Sequence, residues 1–313
     1  MKRWMDYIWP AVGLVAVIFA SWALWKEIRG LSIADVAAGL WAIKPGHWLL
    51  AVAATLMAYS ALAWYDQIAL AHMERRLNWG FIAVVSFTTY ALSHNIGATM
   101  ISGAVVRYRA YSTKGLGMVE VGLLVAFCAF TFTLGNVMLG GIVLLFDPGL
   151  IQRWINLPAW IGLTAGLVML AAVGLYVLGS LLHFAPLRVA GFELVYPRPP
   201  IAARQLLAGP IELIGAAGII YFALPEVGNP GFLIVLGIFM ASFTIALISH
   251  APGGLGVLEF TFVTAMPEVP KAEVLAALIV FRLLYLIIPL VFALIVVAGF
   301  ERGKIGELWR GKA

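Results

Sequence analysis

The sequence predicts an all-helical integral membrane protein, with about six spanning helices and two re-entrant helical hairpins related by an inverted-topology internal repeat. Three observations carry this reading. Of 313 residues, 63% are hydrophobic and only 11% are charged, where an ordinary soluble domain has roughly a quarter charged. Several apolar runs exceed the ~20 residues needed to cross a hydrocarbon core of about 30 Å. Two further apolar stretches are interrupted by polar, glycine-containing runs that resemble each other. Mean hydropathy is +1.00, and a soluble fold is excluded. A transmembrane barrel is excluded as well, because its strands alternate apolar and polar residues, whereas residues 121–146 and 159–182 are apolar on every side.

Taken in order, Met1-Lys2-Arg3 precedes an apolar run at about 7–25. This run is too long for the core of a cleavable signal and has no small-x-small site, so it reads as a retained first helix. The outer segment that follows, 31–43, fits a short amphipathic surface helix capped by Ser32. Further spans fall at 47–70, 118–146, 159–182, 205–226 and 272–300. The stretch 81–106 is broken by Ser93-His94-Asn95-Ile96-Gly97, and 232–266 by Ser249-His250-Ala251-Pro252-Gly253-Gly254. The 13 residues from Phe81 to Ser93 reach only about 20 Å as a helix, too short to span. If both broken stretches return to their own side, most Lys and Arg face the cytoplasm, Arg107, Arg109, Lys114, Arg188, Arg198 and Arg204 among them, with both termini. Making 81–106 one span would put those six outside. The basic residues thus read as topology signals of a bacterial inner-membrane protein, not as a nucleic-acid surface. The single cysteine, Cys128, allows no disulfide, zinc cluster or redox pair, and no cofactor is implied.

The two broken stretches align. Ser86-Phe87-Thr88, Ser93-His94 and Gly97 match Ser242-Phe243-Thr244, Ser249-His250 and Gly253 at a constant offset of 156 residues, half the chain. Matched histidines, rare in apolar segments, point to a duplication, with pseudo-repeats at about 47–146 and 205–300 in a single polytopic domain ending in a tail at 301–313. Paired broken helices entering from opposite sides are the pattern of inverted-repeat transporters. The bland alternative is that Gly and Pro merely loosen two packed helices.

Ser93-His94-Asn95-Ile96-Gly97, continuing through Ser102-Gly103 to Arg107-Tyr108-Arg109-Ala110-Tyr111-Ser112, resembles the membrane domain of bacterial lysylphosphatidylglycerol synthases. So does Ala251-Pro252-Gly253-Gly254-Leu255-Gly256-Val257-Leu258-Glu259, followed by Arg282-Leu283-Leu284-Tyr285 and Pro289. The resemblance implies a flippase of aminoacylated phospholipid, and also a separate cytoplasmic synthase domain. Only 13 residues follow Phe300, so the expectation is a stand-alone flippase-like form.

A headgroup crosses the core only in a polar groove, because charge at the bilayer centre is costly. Half-helix N-termini after Asn95 and Gly253 would aim N–H groups at a phosphate, and Gly97, Gly253, Gly254 and Gly256 permit close backbone approach. Arg282 lies within an apolar span, with Glu259 as its natural partner. That pair reads nearly equally as a headgroup site or as a structural ion pair, or Glu259 simply favours a helix N-terminus. Arg107 and Arg109 diverge by about 200° on a helix; Arg107 suits ligand or pair, and Arg109 and Lys114 suit interfacial anchoring. His94 and His250 read as midplane hydrogen-bonding or pH-sensitive groups, or as satisfied interhelical histidines. Glu120, Glu212 and Asp66 would suit a cationic headgroup, but each sits near a span end or among polar neighbours, and interfacial solvation fits Asp66 best. Gly162 and Gly166 have helix-packing spacing.

The expected function is a phospholipid translocase carrying anionic or aminoacylated lipid, with no nucleic-acid partner. A homo-oligomer and a separate lipid-synthase partner are both compatible. The alternatives are a secondary transporter of a small amphiphile or ion, and an accessory subunit of a lipid-modifying enzyme. No phosphate-loop motif, His-Glu-x-x-His or nucleophile triad is present, which argues against ATP-driven transport and against catalysis.

Overall fold

A computed structural model describes residues 32–96, 99–182, 184, 187–189, 192–194, 196–249 and 252–310. The expected first span at 7–25, together with Gly97 and His250, lies outside the described residues. The chain is a helical bundle with one two-stranded ribbon. Helix α1, Ile33–Ala42, starts where expected: the Ser32 hydroxyl accepts from the Asp35 N–H at 3.2 Å, and the Asp35 carboxylate accepts from the Ser32 N–H at 2.7 Å. This reciprocal pair satisfies two donors that a helix start leaves open.

Helices α2 (Pro45–His72), α5 (Met118–Phe146), α6 (Ala159–Leu181), α7 (Pro199–Ala223) and the unit Lys271–Phe300 are long and apolar enough to cross a membrane. They agree with five of the six expected spans. The last unit is not one uniform helix. It comprises α10, Lys271–Phe281, a π-helical segment, Arg282–Ile287, and the start of α11, Ile288–Arg310. Helix α7 starts earlier than hydropathy suggests, because Pro199 and Pro200 occupy first-turn positions where a missing N–H costs nothing. It stops at Ala223, since Pro225 forces Leu224 into the extended region (φ −72°, ψ 153°).

The two broken stretches become two helix pairs: α3 (Trp79–Ile96) with α4 (Thr99–Tyr111), and α8 (Phe232–Ile248) with α9 (Val257–Ala265). Each second helix folds back along the first. A Cβ at Gly103 would lie 3.3 Å from Thr89 Cγ2 and 3.8 Å from Ser93 Cβ, while the Thr261 hydroxyl donates to Ser242 Oγ at 2.6 Å. Between α6 and α7, strands β1 (Leu187–Val189) and β2 (Phe192–Leu194) pair antiparallel, Arg188 opposite Glu193. This ribbon is a departure from an all-helical chain, confined to a loop.

The core lies where α7 packs against α2 and α5. At the α5–α7 crossing, a Cβ on Gly135 would stand 2.6 Å from the Gly209 backbone, and one on Gly209 would stand 2.8 Å from Gly135 Cα. Only glycine at both positions lets these backbones meet. Gly166 meets the Gly141 carbonyl on α5 in the same manner, as its spacing implied.

Candidate functional site

Three irregular pieces of backbone converge: the end of α3, the turn Pro252–Gly254 leading to α9, and the π-helical segment. Each break leaves backbone groups that regular helix would have satisfied. In the turn, Gly253, Gly254 and Gly256 have φ of 56°, 64° and 77°, a region in which a Cβ is strained. The turn's freed Gly253 carbonyl accepts from Arg282 Nη1 at 2.9 Å. In the π-helical segment, the Leu286 carbonyl accepts from Asn95 Nδ2 at 3.1 Å, and the Tyr285 carbonyl from the Tyr59 hydroxyl at 2.8 Å. The broken ends therefore hold one another through side chains.

The expected pair is formed. Glu259 Oε1 accepts from Arg282 Nε at 2.7 Å and from Nη2, with side chains 13% and 16% exposed. Glu259 Oε2 accepts from the Gly256 N–H at 2.9 Å, closing a capping box on α9. Of the alternatives the sequence left open, this is the one in which Glu259 favours a helix N-terminus: a protein carboxylate occupies the start of the half-helix, whose N–H groups were otherwise expected to face a phosphate. Glu259 is the residue three places into the helix, the position from which a carboxylate reaches back to the cap.

His94 joins the convergence. Its ring stacks on Tyr285, centroids 5.4 Å apart, and meets Phe243 of α8 edge-on at 6.1 Å, so the two broken stretches touch here. Its Nδ1 is buried without a hydrogen-bond partner.

Other expected site residues lie apart. Arg107 is 3% exposed and Asp66 0%. Arg107 Nε and Nη2 donate to the two Asp66 oxygens at 3.1 and 2.6 Å, the Tyr111 hydroxyl donates at 2.8 Å, the Cys128 thiol sits at 3.4 Å, and the guanidinium lies 4.8 Å above the Tyr90 ring. Asp66 is thus not solvated at an interface, as the sequence suggested; the helix runs on to His72 and buries it. Glu212 is likewise corrected: it is 2% exposed, inside α7. Arg109 is exposed in the last turn of α4, diverging from Arg107 as the helical spacing requires. Glu120 accepts from Arg75 Nη2 at 2.6 Å and from the Gly117 N–H at 2.8 Å at the start of α5. The structure does not bring it to the convergence.

Sequence reasoning missed Asp66 as the partner of Arg107, although an acid within an apolar run was signal enough to seek one. It also missed the π-helical segment, whose cue is Pro289, a residue with no N–H for the Tyr285 carbonyl four residues back. Among the described residues, no cluster of His, Cys, Asp and Glu could hold a metal.

Comparison with known proteins places the chain in a family. The family described as lysylphosphatidylglycerol synthase TM region matches residues 11–293. The chain belongs to this family. It is similar to the Inner membrane protein YbhN of Escherichia coli, 28% identical over 93% of this chain and 89% of that one. It is also similar to the Uncharacterized protein slr0712 of Synechocystis, 29% identical over 93% of this chain and 91% of the relative. The Phosphatidylglycerol lysyltransferase of Staphylococcus aureus is 24% identical over 91% of this chain, but the match covers only 33% of that enzyme. The first two relatives match along nearly their whole length, so this membrane region occurs in stand-alone form.

Proposed function

We propose that the protein moves an anionic or aminoacylated phospholipid between the leaflets of a bacterial inner membrane, with both termini cytoplasmic. In this reading the α3–α4 and α8–α9 pairs are re-entrant hairpins of an inverted-topology repeat. Local geometry supports the repeat: Ser93 and Ser249, matched at the 156-residue offset, each donate to the carbonyl three residues back, Tyr90 at 3.4 Å and Ala246 at 3.1 Å. The carrying observation is the half-buried Arg282–Glu259 pair at the meeting of three helix breaks. Glu259 stands where a headgroup phosphate would stand, accepting from both the half-helix start and the arginine. An arriving phosphate offers the same acceptor chemistry, so Arg282 can exchange one anion for the other without being left unpaired. Arg107, paired with Asp66 through Nε and Nη2 and buried, serves to anchor α4 to α2. The acyl chains remain in the bilayer.

The test is dithionite quenching of headgroup-labelled phospholipids in proteoliposomes, with phosphatidylglycerol, phosphatidylethanolamine and an aminoacylated phosphatidylglycerol as probes. Quenching beyond the outer-leaflet fraction, for anionic or aminoacylated probes, is expected. Quenching at the protein-free level for all three, with folded protein present, would refute the reading and favour a transporter of small amphiphiles.

A further inference from the structure

One buried ionisable group takes no part in the site above. Glu212 lies in the middle of α7 at 2% exposure. Its Oε1 accepts from the Tyr285 hydroxyl at 2.7 Å, and its Oε2 is buried with no hydrogen-bond partner. Among the described residues no Lys, Arg or His lies within ion-pair distance of it. The other two acids inside the bundle are arranged differently: Asp66 holds Arg107, and Glu259 holds Arg282.

The groups that face Glu212 are few. Helix α2 brings Tyr59 and Tyr65, and the π-helical segment brings Tyr285, with the His94 ring stacked behind it. On α5, Cys128 is turned to Asp66; on α6, the Tyr176 hydroxyl is bound to Gln205; α8 carries no titratable residue, and α10 carries its two, Lys271 and Glu273, in its first turn. A bare carboxylate in such surroundings would be a full charge with only the Tyr285 and Tyr65 hydroxyls beside it and no counter-ion, which the apolar interior penalises heavily. The neutral acid avoids that charge: its carbonyl oxygen takes the Tyr285 bond, and the hydroxyl on Oε2 lies on the side of Tyr65.

Position gives this proton a consequence. Tyr285 belongs to the segment that begins with Arg282, and the next carbonyl, that of Leu286, holds Asn95 at the end of α3. A charge gained or lost at Glu212 acts directly on the segment that joins the breaks. We propose that Glu212 is an intramembrane proton-binding site, and that one proton taken up by this carboxylate from one side and released to the other is coupled to lipid movement. The coupling half of the proposal rests on the lipid-transport reading. The step needs no reductant or co-reactant, since the carboxylate gains a proton as an acid and gives it back.

Two measurements on the full-length protein in vesicles test it. In infrared difference spectra across a pH series, the protonated-carboxyl C=O band should titrate in wild type, be missing in Glu212→Gln, and persist in Glu259→Gln. With labelled phosphatidylglycerol and dithionite, an imposed pH gradient should change the wild-type rate several-fold and leave the Glu212→Gln rate unaltered. Glutamine keeps an oxygen for Tyr285, and slow Cys128 labelling confirms that the variant is folded. A wild-type rate that moves lipid but ignores the gradient, or a Glu212→Gln rate that follows it, would overturn the coupling while leaving lipid transport intact. If no lipid moves in wild type, the transport reading fails, and the infrared band alone decides: titration supports the proton site, and an unchanged band in Glu212→Gln overturns it.

Discussion

Replacing Asp66 by asparagine should open the centre of the bundle, and the protein's single cysteine can report it. The substitution keeps the shape and leaves an oxygen for Tyr111, but it strands the Arg107 guanidinium at 3% exposure without a counter-charge. Breaking one side of a buried pair costs about 3–5 kcal/mol. Tyr111→Phe removes a single bond to a charged acceptor, about 1.5 kcal/mol. Cys128 is 3% exposed and lies 3.4 Å from Asp66, so a thiol reagent reaches it only when this cluster opens. Since each ~1.4 kcal/mol is tenfold in an equilibrium, maleimide labelling in detergent should accelerate on the order of a hundredfold or more for Asp66→Asn and about tenfold for Tyr111→Phe. The double change Asp66→Leu with Arg107→Met removes both charges and should recover most of the loss. Labelling of Asp66→Asn at the wild-type rate, or a double variant labelled as fast as the single one, would refute the pairing as the lock.

Gly254→Ala, at φ 64° and with its Cβ 2.3 Å from Leu258 Cδ1, should cost more than the ~1–2 kcal/mol of backbone strain alone and lower the thermal midpoint. At the α5–α7 crossing, Gly135→Ala should destabilise by about 1–3 kcal/mol or more, because backbone cannot yield as a side chain can. Gly174→Ala, with nothing within 4 Å of its Cβ, should be neutral or stabilising in the same thermal scan. At one end of the bundle Lys44 donates to Glu226 at 2.8 Å, and this bond holds the carboxyl below the usual range. Its contribution is therefore full above the ordinary carboxylate value of about 4.3 and lost as pH falls through the lowered one. The pair is 64% and 62% exposed, so the effect is small; the stability difference between wild type and Glu226→Gln should persist at neutral pH and close only in acid.

Hydropathy made most of the scaffold legible. The five described spans needed only length and apolar composition, and the Ser32 cap followed from a serine at the start of a short amphipathic segment. Glu259 with Arg282 was also readable, because a lone charge in an apolar span demands a partner and few candidates exist. Asp66 escaped the same logic for a local reason: the apolar run was taken to end at 70, which put the acid near water, whereas α2 continues to His72 with Asp66 turned inward. Arg107 was paired with nothing on its own helix, and only tertiary packing of α4 against α2 supplies the answer. The π-helical segment had a signal that went unread: Pro289 offers no N–H to the Tyr285 carbonyl four residues back, which accepts from the Tyr59 hydroxyl instead, while the Leu286 carbonyl accepts from Asn95 Nδ2. The capped start of α9 was legible as an alternative: the helix break was found, and Glu259 could be read as Arg282's partner or as an acid favouring a helix N-terminus, and it does both.

The claim that the convergence of broken helices carries a phospholipid headgroup is tested most directly by comparing variants in one flipping assay. Proteoliposomes with labelled phosphatidylglycerol and dithionite would hold wild type, Arg282→Ala, Glu259→Gln and the distant control Gly174→Ala in matched amounts. Quenching of the inner leaflet by wild type and Gly174→Ala, lost in Arg282→Ala and reduced in Glu259→Gln, is the predicted result. Undiminished quenching by folded Arg282→Ala would contradict the account and place the lipid path elsewhere in the bundle.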